Sequence, residues 1–380
     1  LNVRLAAILL VAGLVFCIGV HFLHAYQVRR NAYVFLREAD KAKEQREEAV
    51  EEKEKRKEQQ AYESEARYLG LYVRLVPDDV EVLERLCVLL ADRAQDRRSF
   101  SSAFDMLERV VRQDPGSNMR RRLVNLALIA GRHTDAKEHL DFLLNESPDD
   151  PELLELLGQC QVRAGDDALA AKTFEKAIQY APTQVEAYRI LAEVLRYRLS
   201  LPKEADQWME KLVKANPQSF KAHFRRGGYL LRIDSADEAL KESLIALELA
   251  PKDGDELRDA LLLAAQCSSA MQNHDDARKY AERGIKLYPD NIAMYATMAD
   301  IELRAATMAD AKLRAEQGDK AIGALRQGLR ATTQNPQLLW RLADLLIDTG
   351  KLEEAEKTIK ELQDTEYPKQ LVEYLSARIE

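Results

Sequence analysis

Residues 151–182 read PELLELLGQCQVRAGDDALAAKTFEKAIQYAP, and this stretch decides the fold. Small and apolar residues fall three or four places apart: Leu154, Leu157 and Gly158, then, past Gly165, Ala170, Phe174, Ala177 and Ile178. That is the pattern of two amphipathic helices joined at a glycine and closed by Pro182. The order returns in residues 220–251, with His223, Arg226 and Gly227, then Ala239, Ser243, Ala246, Leu247 and Pro251. Pro115, Pro148 and Pro182 stand about 34 residues apart and close successive segments.

The positions have a physical logic. The first helix of each segment offers a small residue (Gly158, Ala192, Gly227) against the second, since a large side chain would hold the two apart. Ala170, Ala205, Ala239, Ala277 and Ala321 do the same from the second helix. Larger residues such as Phe174 and Met209 fill the space between neighbours. Proline ends a helix, because it lacks the N–H and clashes with the preceding turn. Asp or Asn stands beside it as a turn or cap residue, in Pro77-Asp78-Asp79, Pro148-Asp149-Asp150 and Pro289-Asp290-Asn291.

This small–large–small signature resembles the tetratricopeptide repeat. The resemblance implies an all-α fold, a right-handed superhelical solenoid of antiparallel helix pairs, with a groove lined by first helices that receives proteins or extended peptides. Units are expected to start near Val80, Ser117, Pro151, Val185, Phe220, Arg258, Ile292 and Gln337, with a degenerate one ending at Pro77. Three agree closely. The others carry extra residues around 94–100, 252–257 and 305–317, where they loop out or lengthen helices.

The division expected is a tail over 1–4, a membrane anchor over 5–26, a charged helical linker with the degenerate repeat over 27–79, the array over 80–368 and the start of a further repeat over 369–380. That last half unit reads as part of a longer array. The linker reads as a solvated helix. Glu51→Lys55 and Glu52→Arg56 are favourable pairs, and Ala39, Ala42, Ala49 and Val50 do not sustain a heptad seam.

Leu5 to Val20 is an unbroken apolar run that Phe22, Leu23 and Tyr26 extend, just long enough to span a bilayer. A cleaved signal peptide is the alternative, but no small-x-small site comes after the run. Arg4 precedes it and Arg29, Arg30, Arg37, Lys41 and Lys43 lie beyond it, a bias that puts the repeats in the cytoplasm. Short N-terminal anchors also export the chain behind them, which leaves the opposite orientation open. The architecture resembles N-terminally anchored bacterial repeat proteins.

Charged residues make up 32% of the chain and no period-two apolar runs appear, which leaves little room for a sheet. A net charge of −8 argues against nucleic acid as a partner. Cys17, Cys87, Cys160 and Cys267 lie far apart, so they read as free thiols rather than a disulfide framework or a metal site. No glycine-rich phosphate loop, paired-histidine metal motif or serine elbow appears, so no catalytic, cofactor or metal residue is expected. His133, His139 and His274 read as surface residues.

The family's groove positions fall on Arg121, Arg122 and Asn125, then Glu155 and Gln159, then Arg189, Glu193 and Arg196, then Lys221, Phe224, Arg225 and Arg232, with Leu262, Gln266, Asp300 and Arg341 further on. Arginine forks suit carboxylates, so an acidic extended peptide is one ligand this implies. The alternative is that they make ordinary ion pairs with Glu155, Glu186 and Glu193. The family's chaperone-tail clamp does not assemble. Arg121 and Asn125 fit its first part, but Leu156 replaces the next asparagine, and Glu186 and Ile190 replace the last basic pair. Lys221 and Arg225 fit that last part alone. The function expected is a membrane-anchored scaffold without catalysis. The alternatives are the docking arm of a longer enzyme, such as a glycosyltransferase with its catalytic domain past Glu380, or an assembly factor for envelope or export complexes.

Overall fold

The computed structural model describes residues 3–93, 96–113, 119–306 and 311–379. Pro115, the expected unit start Ser117 and parts of the extensions around 94–100 and 305–317 lie outside them. The described residues form nineteen α-helices and no strand.

Two compact units divide the chain, Leu1–Tyr180 and Ala181–Glu380. The first holds a long hairpin, α1 (Val3–Glu51) and α2 (Lys55–Leu75), followed by three helix pairs. These are α3 (Val80–Asp92) with α4 (Arg97–Gln113), α5 (Met119–Ala130) with α6 (His133–Glu146), and α7 (Pro151–Ala164) with α8 (Asp167–Tyr180). The second unit opens with α9 (Val185–Glu193), which runs on into a π-helical turn, Val194–Arg198, and α10 (Pro202–Ala215). Then come α11 (Phe220–Arg232), α12 (Ala236–Leu249), α13 (Asp255–Ala270), α14 (His274–Leu287), α15 (Ile292–Ala306) and α16 (Ala311–Ala331). It closes with α17 (Pro336–Asp348), α18 (Leu352–Gln363) and α19 (Lys369–Ile379). Sequence neighbours pack as hairpins, and in this unit each first helix also touches the next, from α9 through α11, α13, α15 and α17 to α19. That is the layering of a helical solenoid.

The expected starts Val80, Pro151, Val185, Phe220 and Ile292 coincide with helix starts. The turn residues do what their chemistry predicts. The Asp79 carboxylate accepts from the Val82 amide at 3.2 Å, Asp150 from Glu152 at 3.0 Å, and the Asn291 side chain from Met294 at 3.1 Å. Gly165 ends α7 in the left-handed conformation at φ 87°, which a side chain would disfavour.

The small positions are closed. A Cβ on Gly158 would lie 2.7 to 2.9 Å from three ring atoms of Phe174. Ala170, Ala205, Ala239, Ala277 and Ala321 are fully buried. Phe104, Leu107, Leu123, Leu140 and Leu153 fill the centre of the first unit. Tyr295, Leu325, Leu338, Leu342 and Leu346 belong to the main core of the second.

Two expectations change. The linker is not solvated on all sides. Ala32, Ala39, Ala42 and Ala49, spaced seven, three and seven apart, are buried in the α1–α2 hairpin. That is a heptad seam made of the shortest apolar side chain, which brings the two helices close. Second, no helix among the described residues is long and apolar enough to cross a membrane. The span expected at Leu5–Tyr26 is therefore not among what the structure supports. Its backbone belongs to α1, but most of its side chains lie outside the described residues.

Candidate partner-binding faces

The expected groove residues divide between the units. Arg121, on α5 of the first unit, pairs with Asp150, whose carboxylate also caps α7. That arginine joins two repeats. Asn125, one turn further along α5, is exposed and lines a pocket between α3, α4 and α5.

Six more, Arg189, Arg196, Lys221, Phe224, Arg225 and Arg232, lie on α9, its π-turn and α11 of the second unit. Glu186, Arg189, Glu193 and Arg196 succeed one another at helical spacing, so they share a face of α9 and its π-turn. Arg189 donates to Glu186 and to Glu193, both at 2.7 Å. From α11, Arg225 approaches Glu186 at 3.4 Å and Arg232 approaches Glu193 at 3.5 Å. Each glutamate is thus shared by two arginines from neighbouring first helices. Lys221 is exposed and has no partner among the described residues. Phe224 is half-buried and stacks on Phe220, with ring centroids 5.5 Å apart.

Arg196 is held more firmly. The π-turn adds a residue to the helical repeat, with the Leu199 amide donating back to the Val194 carbonyl at 3.0 Å. Arg196 then donates to the Tyr229 hydroxyl at 2.8 Å and pairs with Asp206. The Tyr229 hydroxyl donates to Asp206 at 2.7 Å, and burial together with that carboxylate holds the phenol well above its ordinary range. Arg196 therefore braces α9, α10 and α11 and is not available to a ligand. Neither Asp206 nor the π-turn was expected. Asp206 lies on a second helix, and one extra residue within a helix leaves no mark in a pattern of apolar positions.

Of the acids expected as ordinary partners, Glu186 and Glu193 pair with arginine, and Glu155 accepts from Gln159 at 3.2 Å. These pairs do not close the face. The pairs of Arg225 and Arg232 are exposed, and such pairs contribute roughly 0 to 1 kcal/mol each, so an incoming carboxylate can exchange with them at little cost. Arg225 and Arg232 are 43% and 50% exposed and make only long contacts. Counting Arg196 and Asp206, the face carries five cations, Arg189, Arg196, Lys221, Arg225 and Arg232, against three carboxylates. Further along, Arg341 and Asp300 satisfy each other at 3.1 Å.

His139 is not a plain surface residue. It is half-buried against Arg120 at 3.1 Å, and burial together with that guanidinium lowers its pKa. A buried network on α11 and α12 also went unforeseen. His223 Nδ1 lies 2.6 Å from Glu242, whose other oxygen accepts from Arg226 at 2.8 Å, and His223 Nε2 lies 3.1 Å from the Pro217 carbonyl. Cys87, Cys160 and Cys267 are free and buried, and burial pushes their thiols up to about 12, 11 and 11, so they stay unreactive.

One tetratricopeptide repeat model matches this chain at residues 127–195 and 312–379, and a second matches residues 259–291. A tetratricopeptide repeat protein from Parabacteroides merdae is similar in structure at 16% identity and a TM-score of 0.46, covering 79% of this chain and 98% of that one. PilW, described as a type IV pilus biogenesis factor, is similar at 19% identity and a TM-score of 0.43, covering 59% of this chain and 98% of that one. YrrB, described as a TPR protein with an unusual peptide-binding site, is similar at 21% identity and a TM-score of 0.35, covering 50% of this chain and 95% of that one. No curated protein matches the chain.

Proposed function

We propose that this chain is a membrane-anchored scaffold that captures acidic segments of partner proteins on the α9–α11 face, with no reaction of its own. The observation that carries the reading is the excess of five cations over three carboxylates on that face, in a chain whose net charge is −8. Local charge opposite to the bulk steers an anionic partner to one place. The face is built on rigid helices, so binding orders little of the protein. Phe224 and its stacked neighbour Phe220 add apolar area beside the guanidinium groups.

Replacing Arg189 and Arg225 together by Glu leaves three cations against five carboxylates. Binding of hexaglutamate, read by fluorescence anisotropy on the full chain, should fall by at least about tenfold. Helicity should be unchanged, because the lost pairs are partly exposed and contribute only about 0.3–0.5 kcal/mol each. Unchanged binding would overturn the assignment of this face.

The anchor in this reading is Leu5–Tyr26. Since α1 runs unbroken from Val3 to Glu51, anchor and hairpin are one helix, and its hairpin spaces the repeats from the bilayer. The excess of basic residues after the run supports the repeats lying on the cytoplasmic side. The full chain should remain in the membrane pellet after alkaline carbonate extraction, and a reporter joined after Glu380 should respond as cytoplasmic. Release into the supernatant would refute the anchor.

A further inference from the structure

We infer that the anchor-proximal end of the α1–α2 hairpin binds anionic phospholipid headgroups through a stripe of arginine and tyrosine on α1; this rests on reading Leu5–Tyr26 as a membrane anchor. Tyr26, Arg29, Arg30, Tyr33 and Arg37 are spaced i, i+3, i+4, i+7 and i+11, which places them on one face of the helix. All five are exposed, Tyr26 to 64% and Tyr33 to 54%. Ala32 and Ala39 of the alanine seam are buried on a neighbouring face. Tyr33 meets the Tyr72 ring of α2 edge-on at 6.3 Å between centroids, so the hairpin fixes the direction of the stripe. None of the three arginines has an ion pair or hydrogen bond among the described residues. No acidic residue stands among residues 1–37. The first two acids beyond them are already taken, Glu38 by Lys41 at 2.7 Å and Asp40 by Arg85 of α3. Three guanidinium groups thus face outward with no counter-charge from the chain.

Their position selects the ligand. The headgroup layer of one leaflet is about 5–8 Å deep. A helix rises about 1.5 Å per residue, so Arg29 and Arg30 stand about 5–6 Å beyond Tyr26, inside that layer. Tyr33 stands about 10 Å and Arg37 about 16 Å beyond it. Side chains on a helix lean toward its N-terminus, which in this reading lies in the bilayer, so Arg37 reaches back toward the same layer. Guanidinium forks match phosphate oxygens in pairs, and tyrosine rings suit the boundary between acyl chains and headgroups. A zwitterionic lipid brings its own cation to the stripe, so a lipid of net negative charge fits it better. A second copy of the chain fits poorly, because a parallel neighbour would set these arginines against their own counterparts. The acid-rich end of the hairpin does not oppose the contact. Residues 44–54 hold six glutamates against Arg46 and Lys53. They begin about 27 Å along α1 from Tyr26, well beyond the about 8–10 Å over which the field of the leaflet persists at ordinary salt.

The full chain is placed in nanodiscs of equal phosphatidylglycerol and phosphatidylcholine, and the lipids that stay on it are counted by native mass spectrometry. Phosphatidylglycerol should be retained over phosphatidylcholine by at least about tenfold. Arg29→Gln, Arg30→Gln and Arg37→Gln together should remove most of that preference, and Arg29→Gln or Arg30→Gln alone should lower it about fivefold. The melt should not change, because these side chains are exposed and unpaired. Lys214→Gln, Lys241→Gln and Lys279→Gln together remove as much charge from exposed side chains of the second unit and should leave the preference intact. Equal losses in the two triple variants would overturn the stripe in favour of bulk charge. Equal retention of both lipids by a chain that has entered the nanodiscs would refute the inference alone. A chain that stays outside the nanodiscs would remove the anchor, and the inference with it.

Discussion

Gly158→Val should destabilise the first unit by about 3 kcal/mol, at the upper end of what overpacking costs. The Phe174 ring is 0% exposed, and three of its atoms would sit within 2.9 Å of a Cβ at position 158. It has nowhere to turn, and valine brings two further methyls into the same place. The gain in helix propensity over glycine, about 0.5 kcal/mol for a β-branched residue, offsets little of that. Phe174→Leu alone should cost about 1–2 kcal/mol through the space it vacates. Combined, the two should cost clearly less than their sum, with a coupling of about 1–3 kcal/mol, because the leucine makes room for the valine. Urea denaturation of the two single variants and the double one closes the cycle. Strict additivity would show that the two residues do not meet, and the packing register of α7 on α8 would be wrong.

That pair also shows what the sequence can carry. Gly158 and Phe174 are sixteen places apart in one repeat, and the requirement for a small residue opposite a large one is written in both. The caps Asp79, Asp150 and Asn291 are equally legible, since each bonds to an amide two or three residues on. Contacts between repeats are less so. The sharing of Glu186 between Arg189 and Arg225 depends on how α9 and α11 lie against each other, which neither helix's own pattern records. Arg196 was assigned to a ligand and serves Tyr229 and Asp206 instead, because the π-turn redirects it. The alanine seam of α1 was hidden by its own chemistry. Alanine marks an apolar stripe weakly, and the charges on the other faces of the helix dominate the composition.

Glu65→Ala should cost about 2–4 kcal/mol and should loosen the N-terminal hairpin before the rest of the first unit. In sequence Glu65 is one acid among many in a charged helix. In the structure it is 1% exposed on α2, accepting from Arg46 of α1 at 2.9 Å and from Arg85 of α3 at 2.9 and 3.2 Å. Arg85 continues to the Ala39 carbonyl at 3.3 Å and to Asp40. One carboxylate thus joins the hairpin to the first repeat. Removing one member of a buried pair costs about 3–5 kcal/mol, because the charges left behind keep their desolvation penalty. Here both arginine side chains are 26% exposed, so water recovers part of it and the expectation is correspondingly lower. Hydrogen exchange should show the amides of residues 32–49 and of α2 losing protection while those of α5 to α8 keep theirs. The cluster sets geometry more than net stability. Replacing all three members by apolar residues, Arg46→Met, Glu65→Leu and Arg85→Met, should therefore recover most of the loss, since no buried charge is then left unpaired. A triple variant as unstable as Glu65→Ala would mean that these ion pairs contribute net stability which packing cannot replace. A single variant with unchanged exchange in α1 and α2 would mean that the alanine seam alone holds the hairpin.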